Sequence, residues 1–314
     1  MLNWPAGPVT VRVPATSANL GPGFDSLGLA LSLYDTVEAK VAPAGVEVRV
    51  TGAGAGQVGS GEAHLVVRAM RAGFAAVGAQ PPGLALDCRN EVPQGFGLGS
   101  SAAAIVAGLL AARALAGAAG AAALTPDALL RLATELEGHP DNVAACLSGG
   151  LTISWTTAAG VRAARLTPLP EITPVLCVPA VPLATEAARQ VLPAEVPHAL
   201  AAANSARAAL LIAALTARPD LLLDGTEDYL HQRYRADAMP GTAALIARLR
   251  AVGIAAVVSG AGPSVLALIA DSTGPAAADV ARIAGEEDAT WQVLPLSVDS
   301  VGARLVPGNP SLAS

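Results

Sequence analysis

The most informative residues are three alternating glycines followed by two serines, within residues 93–103 (PQGFGLGSSAA). Glycine has no Cβ, so its backbone can turn tightly and approach an anion closely. A helix that begins at the serines would add unpaired N–H groups and a positive dipole. These features favour an anion site for a polyphosphate, with the hydroxyls of Ser100 and Ser101 near a phosphate or a Mg²⁺ ion. The alternative is a tight turn before a helix that one of the two serines caps.

Two further segments place this loop in a known family. Residues 93–103 match the phosphate-loop pattern PxxxGLGSSAA of the GHMP kinases, which phosphorylate small molecules. Residues 13–25 (VPATSANLGPGFD) resemble the first motif of that family, and residues 259–264 (SGAGPS) resemble its third. The motifs stand in the family's order, and the resemblance spans about residues 10–305.

Within the family, the chain is most similar to the subgroup that phosphorylates homoserine. Residues 137–144 (EGHPDNVA), 185–189 (TEAAR) and 234–235 resemble the signatures of that subgroup. The resemblance implies ATP-dependent phosphorylation of L-homoserine to O-phospho-L-homoserine, the penultimate step toward threonine. It also implies an α+β fold of two domains: an N-terminal αβ nucleotide domain at residues 1–165 and a C-terminal ferredoxin-like α/β sandwich at residues 166–314.

The substrate of such an enzyme carries a carboxylate and an ammonium group, which need opposite charges. A guanidinium fits a carboxylate with two parallel hydrogen bonds, and the family places arginines from two motifs at this position. We therefore expect Arg189 and Arg235 to bind the carboxylate, whereas a single arginine without the motif would be read as a surface residue. Asp25 is expected to bind the ammonium group, unless it only forms an Asx-turn.

The remaining substrate contacts are also implied by the resemblance. Polar groups must direct the substrate hydroxyl at the γ-phosphate of ATP, and Asn19 and Asn142 could do so. Asn19 could instead serve only to cap its own turn. The complete expected substrate site is Asn19, Asp25, Asn142, Thr185, Arg189, Arg235 and Gly260.

The expected cofactors are ATP and Mg²⁺. By resemblance, the Ser101 hydroxyl and the Glu137 carboxylate hold the metal, and these two residues with Asn142 form the catalytic set. The expected nucleotide site is Pro93, Gly95, Gly97, Leu98, Gly99, Ser100, Ser101 and His64. His64 departs from the family, which usually has asparagine there, and this leaves the nucleotide preference open.

The sequence offers no obvious catalytic base. Other GHMP kinases use an aspartate with a basic partner, and in homoserine kinases that place is taken by the asparagine aligned to Asn142. An asparagine amide cannot accept a proton at neutral pH. Asp141 is adjacent, but its side chain is expected to point elsewhere. We therefore expect direct in-line attack by the substrate hydroxyl, with its proton passing to the phosphate or to water.

Two other functions remain open at this point. One is a different GHMP kinase, such as a mevalonate-type enzyme, although the two arginines favour an amino-acid substrate. The other is a non-catalytic sensor of nucleotide or amino acid on the same fold. A sensor would not need the metal-binding pair Ser101 and Glu137.

Elements that position these residues are predicted from hydrophobic periodicity and from cap residues. Three prolines in residues 167–174 (TPLPEITP) suggest a domain junction. The predicted strands are 46–50, 84–88, 175–178, 254–259, 264–269 and 291–298. The predicted helices are 63–77, 101–115, 126–137, 197–216, 242–252 and 275–284, and residues 52–61 are a predicted loop.

Composition and charge limit which binding partners and which cellular compartment we expect. The 314 residues carry a net charge of −6 and the pI is about 5.2, which gives no basic surface for nucleic acid. Residues 102–124 are mainly alanine and glycine and contain Arg113, so we expect a buried helix and a loop rather than a membrane span. Three widely spaced cysteines and the absence of a signal-peptide pattern indicate a reduced, cytoplasmic location. The family suggests a possible homodimer.

Overall fold

Two β-sheets, each covered by helices, organise the chain. The computed structural model describes residues 4–5, 7–183, 185–270, 275–287 and 290–307. The strands are β1 (Val9–Asn19), β2 (Gly23–Ala42), β3 (Gly45–Gly52), β4 (Gly83–Asn90), β5 (Leu151–Thr157), β6 (Gly160–Leu166), β7 (Thr173–Pro179), β8 (Ala255–Val258), β9 (Val265–Ile269), β10 (Trp291–Pro295) and β11 (Arg304–Val306).

The α-helices alternate with these strands. They are α1 (Leu65–Val77), α2 (Ser100–Leu115), α3 (Gly117–Ala123), α4 (Pro126–Glu137), α5 (Asp141–Ser148), α6 (Thr185–Gln190), α7 (His198–Thr216), α8 (Leu222–Gly225), α9 (Gln232–Arg235), α10 (Pro240–Ala251) and α11 (Pro275–Gly285). Short 3₁₀ turns lie at Gly61–Ala63, Pro219–Leu221 and Ala236–Ala238.

The first sheet supports the glycine loop. Its strand order is β11-β1-β2-β4-β3, and β5 joins it by pairing with β2 and with β6. Helix α2 is apolar on all sides and lies between this sheet and other helices, which is the expected place for such a helix. The side chains of Phe74, Leu84 and Leu109 are fully buried in the resulting core.

The second sheet is antiparallel, with the order β10-β7-β9-β8. Helix α10 lies between β7 and β8 in the chain, and α11 lies between β9 and β10. A βαββαβ order on such a sheet is the ferredoxin-like arrangement. The predicted α+β fold with a ferredoxin-like second half is therefore confirmed.

The proposed domain division at residues 165/166 falls at the C-terminal end of β6, just before the proline-rich segment that leads to β7. The last strand, β11, pairs with β1 in the first sheet, through Thr10↔Val306 and its two neighbours. The chain therefore returns to the first layer after it completes the second.

Helix α4 agrees closely with its predicted limits. Thr125 caps its start by accepting a hydrogen bond from the N–H of Ala128 (3.3 Å), and Pro126 is its first residue. Because α4 ends at Glu137, this cap also fixes where that carboxylate enters the site.

Several parts of the first half differ from the sequence prediction, and α5, β5 and β6 were not predicted. The long hairpin of β1 and β2 was not predicted as strands, since its residues show no simple alternation and lie in a sheet that is buried on much of both sides. The stretch after α2 was predicted as a loop, but residues Gly117–Ala123 form α3. This helix is rich in alanine, the residue with the highest helix propensity.

Within the part of the chain that the structure describes, one helix, α7, is long and apolar enough to cross a membrane by length and composition alone. Its polar residues connect it to the rest of the fold. The Nδ2 group of buried Asn204 donates to the carbonyl of Pro22 (2.8 Å), and Arg207 forms an ion pair with Glu227 (2.7 Å). These contacts fit a helix packed in the protein.

Candidate active site

The glycine loop adopts the backbone conformation that its sequence requires. Gly95, Gly97 and Gly99 have φ angles of 79°, 72° and 66°, in the left-handed region that favours glycine. A Cβ on Gly97 would lie 2.1 Å from the carbonyl oxygen of Ser259, and a Cβ on Gly99 would lie 2.0 Å from Thr16 Oγ1. Only glycine therefore fits at these two positions.

The first and third motifs hold this loop in place. The N–H of Thr16 donates to the carbonyl of Leu98 (3.0 Å), and the Ser259 hydroxyl donates to the carbonyl of Gly97 (2.7 Å). The N–H of Gly260 donates to the carbonyl of Ala18 (3.1 Å), which joins the two motifs to each other. Segments far apart in the sequence thus meet at the N-terminus of α2, where unpaired N–H groups favour an anion.

The structure brings the side chains of Ser101 and Glu137 into contact. The Ser101 hydroxyl donates to Glu137 Oε1 at 2.6 Å. Burial raises the pKa of Glu137 above its usual range, although the hydrogen bond from Ser101 opposes the shift. A divalent cation held by these two oxygens would relieve the cost of the buried charge, so the pair fits a Mg²⁺ ion that keeps most of its water ligands.

Asn142 is oriented by a residue that the sequence analysis did not select. Its Oδ1 accepts a hydrogen bond from Thr16 Oγ1 at 2.7 Å, and Asn142 is only 8% exposed. The Nδ2 group donates a long hydrogen bond to Asp141 Oδ1 (3.4 Å), and its second N–H is an available donor. The feature of the sequence that could have identified Thr16 as a site residue is its position in the first motif.

Arg189 and Asp25, the expected partners of opposite substrate charges, contact each other directly. Two hydrogen bonds of 2.6 and 3.2 Å join the guanidinium to the two carboxylate oxygens. Asp25 has a positive φ of 53°, and its N–H donates to Asn19 Oδ1 (2.9 Å). The Asp25 carboxylate therefore pairs with Arg189 and not with its own turn, whereas Asn19 does cap that turn.

Arg235 is held rigidly beside this pair. It is 1% exposed, its Nε donates to the carbonyl of Ala188 (3.0 Å), and one terminal nitrogen lies 3.0 Å from His231 Nδ1. Because arginine only donates, Nδ1 of His231 accepts, and Nε2 donates to the carbonyl of Gly21 (2.8 Å). Burial, with the nearby charge of Arg189, lowers the pKa of Arg235 to about 10. His231 is a positioning residue that the sequence analysis missed.

Gly260 and Phe24 complete the surroundings of the two arginines. The carbonyl of Gly260 accepts hydrogen bonds from Asn19 Nδ2 (2.8 Å) and from Arg235 (3.2 Å). Both guanidinium groups approach the ring of Phe24, at 5.7 Å for Arg189 and 5.6 Å for Arg235. This brings both arginines to one side of a single cavity.

That cavity, here called the substrate cavity, has a volume of about 290 Å³. It contains most of the expected substrate, phosphate-loop and metal residues. They are Asn19, Gly95, Gly97, Leu98, Gly99, Ser100, Ser101, Glu137, Asn142, Arg189, Arg235 and Gly260. Positive guanidinium groups, a helix N-terminus and the half-buried carboxylate of Glu137 thus face the same small volume.

Comparison with known proteins agrees with this geometry. Residues 64–150 match the model of the GHMP kinases N terminal domain, and residues 200–287 match that of GHMP kinases C terminal. The chain belongs to the GHMP kinase family.

Individual members of the GHMP kinase family are similar over nearly the whole chain. A homoserine kinase of Streptomyces avermitilis is 54% identical over 302 residues, covering 96% of this chain and 97% of that protein. A homoserine kinase of Leifsonia xyli is 51% identical, covering 94% and 91%. The crystal structure of homoserine kinase from Cytophaga hutchinsonii superimposes with a TM-score of 0.85 at 25% identity, covering 98% and 99%.

One expectation about this GHMP kinase site was wrong. The side chain of Asp141 was expected to point away, but Asp141 lines the substrate cavity together with His139. Its Oδ1 lies 2.9 Å from His139 Nδ1 and accepts from the N–H of Asn142 (2.7 Å). Burial lowers the pKa of His139, but the hydrogen bond and charge of Asp141 outweigh it, so that pKa is raised. The sequence pattern that could have indicated this position is the alternation of Glu137, His139 and Asp141. All three residues line the cavity because the chain turns between α4 and α5.

Four expected residues lie outside the lining of the substrate cavity or remain untested. Asp25 does not line that cavity itself but is joined to it by its ion pair with Arg189. Pro93 precedes the loop and does not line either of the two cavities beside the α2 N-terminus. His64 lines the second of these cavities, which adjoins the substrate cavity at Leu65, Ser100 and Ser101. Thr185 is the first residue of α6, and its side chain lies outside the described part of the structure.

Proposed function

We propose that this GHMP kinase transfers the γ-phosphate of ATP to the hydroxyl of L-homoserine and produces O-phospho-L-homoserine. The similarity to homoserine kinases at 51–54% identity supports this activity. The observation that carries the substrate assignment is the convergence of Arg189, Arg235 and Asp25 beside the glycine loop. One carboxylate and two guanidiniums match an α-amino acid, which carries a carboxylate and an ammonium group.

The ion pair of Asp25 and Arg189 supports the same substrate in a second way. The substrate ammonium can replace the guanidinium at Asp25, while its carboxylate replaces Asp25 at Arg189. Every charge keeps a partner only if the ligand carries both groups. A ligand with one charged group would leave a partly buried partner uncompensated, which is costly.

The phosphates of ATP are proposed to lie on the glycine loop at the N-terminus of α2. Ser101 and Glu137 would hold Mg²⁺, which supplies positive charge to the β- and γ-phosphates. The roles of the residues in the expected nucleotide site, including Pro93 and His64, are proposals on the same basis.

The transfer itself is proposed to be direct and in line. A bond forms between the substrate hydroxyl oxygen and the γ-phosphorus as the bond to ADP breaks, and the hydroxyl proton passes to the transferred phosphate or to water. Asn142, fixed by Thr16, offers an N–H donor that can orient an oxygen but cannot take a proton. Positioning and charge neutralisation therefore carry the reaction.

The deciding experiment measures ADP release with ATP and Mg²⁺ in the presence of L-homoserine, L-serine, L-threonine or mevalonate. Turnover with L-homoserine alone is expected. Turnover with mevalonate instead would mean that the arginines are misassigned. Nucleotide binding without turnover of any substrate would favour a sensor.

The compartment and the assembly are further proposals. Cys88, Cys146 and Cys177 are free and buried, which suits a reducing cytoplasm. A homodimer is proposed from the family resemblance alone, and light scattering of the purified protein would test it.

A further inference from the structure

The outer edge of β3 is an open strand edge of the first sheet. With eight residues, β3 is longer than β6 and β11, the other strands at the edges of this sheet. It pairs with β4 along its whole length, and in the described part of the chain no strand pairs with its other side. An edge of this kind presents a row of backbone N–H and C=O groups to which another strand can pair.

The other edges of the two sheets differ from β3. In the second sheet, β8 is fully buried, and the N–H of Val258 is taken by Oε1 of Gln232 (2.6 Å). In the first sheet, β11 has only three residues, and β6 carries two arginines and no acidic residue. By contrast, β3 contains no proline, and its pairing with β4 shows no bulge, so its backbone has none of the features that usually prevent pairing at an edge.

The side chains of β3 alternate between the two faces of the sheet. One face carries half-buried valines that pack against the core of the first layer, namely Val46, Val48 and Val50. The opposite face carries the exposed side chains of Glu47 and Arg49. A strand added at this edge would therefore meet an apolar face on one side and two opposite charges on the other.

Both charges are available to an added strand. Neither Glu47 nor Arg49 forms an ion pair or a hydrogen bond with another residue that the structure describes. Glu47 lies opposite the uncharged Ala85 on β4. Arg49 lies opposite Asp87, but the ion pair of Asp87 is with Arg89 (3.8 Å).

The order of these two charges makes the edge complementary to itself. In an antiparallel pair of identical strands, a register centred on Val48 places Glu47 of each copy opposite Arg49 of the other. Val46 then lies opposite Val50 of the second copy, and the valines of both copies stay on the face that the helices cover. Centring on Glu47 or on Arg49 would place like charges opposite each other, and a shift by one residue would bring the valine face of one copy to the charged face of the other.

We propose that β3 is the interface of a homodimer, in which the β3 strands of two copies pair antiparallel about Val48 and join the two first sheets into one. Residues 45–51 of each strand pair in this register, and the two-fold symmetry makes each Glu47–Arg49 contact occur twice. The inference does not depend on the proposed reaction. It gives the homodimer a structural basis that the family resemblance does not supply.

The test measures molar mass by light scattering during size-exclusion chromatography over a range of protein concentrations. Wild type is expected to be a dimer at the higher concentrations. In Glu47→Arg the new arginine faces Arg49 of the second copy, and in Arg49→Glu the new glutamate faces Glu47. We expect each change to raise the dissociation constant of the dimer about tenfold or more, because two attractions become two repulsions.

An equimolar mixture of the two variants supplies the rescue. In a mixed dimer of Glu47→Arg with Arg49→Glu, both cross-strand pairs join opposite charges again, so the mixture should form dimers although each variant alone does not. Arg162→Glu is the matched control, since it reverses an exposed charge on the edge strand β6 and should leave the mass as in wild type. Melting temperatures show whether each variant is folded.

Chemical cross-linking locates the contact. In Glu47→Cys the Cβ atoms of the two new cysteines would lie roughly 7–8 Å apart, on the diagonal of the register. A short bismaleimide should therefore convert this variant, but not Arg162→Cys, into a covalent dimer. The native cysteines, Cys88, Cys146 and Cys177, are buried and should not react.

Three results would overturn the proposal. One is a wild-type protein that stays monomeric at every concentration. Another is a dissociation constant for Glu47→Arg equal to that of wild type, which would place the dimer contact on another face. The third is a mixture that stays monomeric, or a Glu47→Cys variant that reacts with N-ethylmaleimide but is not cross-linked, although the variants melt like wild type.

Discussion

At the scale of single residues, the ion pair of Asp25 and Arg189 determines which ligand the substrate cavity accepts. We expect Asp25→Asn to raise the KM for L-homoserine about tenfold or more, because the ammonium group loses a charged partner. The kcat/KM for 4-hydroxybutanoate, which lacks the ammonium group, should stay equal or increase, because Arg189 is released. Steady-state kinetics with both compounds measures this.

The matched control for this prediction is Asp220→Asn. Asp220 forms a similar two-point ion pair with Arg218, at 2.8 Å, on the exposed surface. Exposed pairs contribute little, so this variant should behave as wild type. An unchanged KM for L-homoserine in Asp25→Asn would rule out the role of Asp25 in binding the ammonium group.

A second prediction at this scale concerns the missing base. If the hydroxyl proton passes to the phosphate or to water, Asp141→Asn should reduce kcat much less than Glu137→Gln, which removes the proposed metal ligand. Asparagine at position 141 can still accept from the N–H of Asn142, so the local fold is kept. Rapid-quench turnover of both variants is the measurement. Equal losses in the two variants would argue against the base-free mechanism.

At the scale of elements, the glycine loop depends on the absence of side chains. In Gly97→Ala the new Cβ would meet the carbonyl oxygen of Ser259 at 2.1 Å, so the loop must move away from the third motif. We expect more than a tenfold loss in ATP affinity, measured by calorimetry, together with a loss of stability.

The variant Gly78→Ala distinguishes the steric effect on the glycine loop from the effect of backbone strain alone. Gly78 also has a positive φ, 79°, but a Cβ there meets no atom within 4 Å. This variant should lose about 1–2 kcal/mol of unfolding free energy and keep its ATP affinity. Equal ATP affinity in Gly97→Ala and Gly78→Ala would show that the loop does not bind phosphate.

At the scale of the whole molecule, Asp35 makes stability depend on pH. Burial raises the pKa of Asp35 to about 6 in the folded protein, and the ordinary value for an exposed aspartate, which applies to the unfolded chain, is 3.8. The folded protein therefore holds the proton more tightly. The stability it contributes is full below about pH 4 and is lost as the pH rises through about 6. Asp35→Asn lacks this loss and should exceed wild type by up to about 3 kcal/mol at pH 8.

Urea unfolding of both proteins at about pH 4.5 and pH 8 measures this difference. We expect a small difference at the lower pH and a larger one at the higher pH. A difference that is the same at both values would mean that Asp35 is not the group responsible.

The sequence alone determined the fold class, the family and about half of the strands and helices. Residues 93–103 combine alternating glycines with a helix start, and local backbone chemistry is enough to interpret them. The limits of α4 were readable for the same reason, because Thr125 and Pro126 act within one turn. Motif order then related Asn142, Arg189 and Arg235 to one site.

Only the tertiary structure decided how these residues are used. Thr16 occupies the amide oxygen of Asn142, and His231 holds Arg235, across 126 and 4 residues of sequence respectively. The turn between α4 and α5 brings Asp141 to the wall of the substrate cavity, whereas the sequence analysis expected its side chain to point elsewhere. Asp35 belongs to no sequence motif, and only the structure shows that it is buried beside a cavity. Hydrogen bonding and desolvation depend on which atoms meet in space, and a linear pattern of residue types does not contain that information.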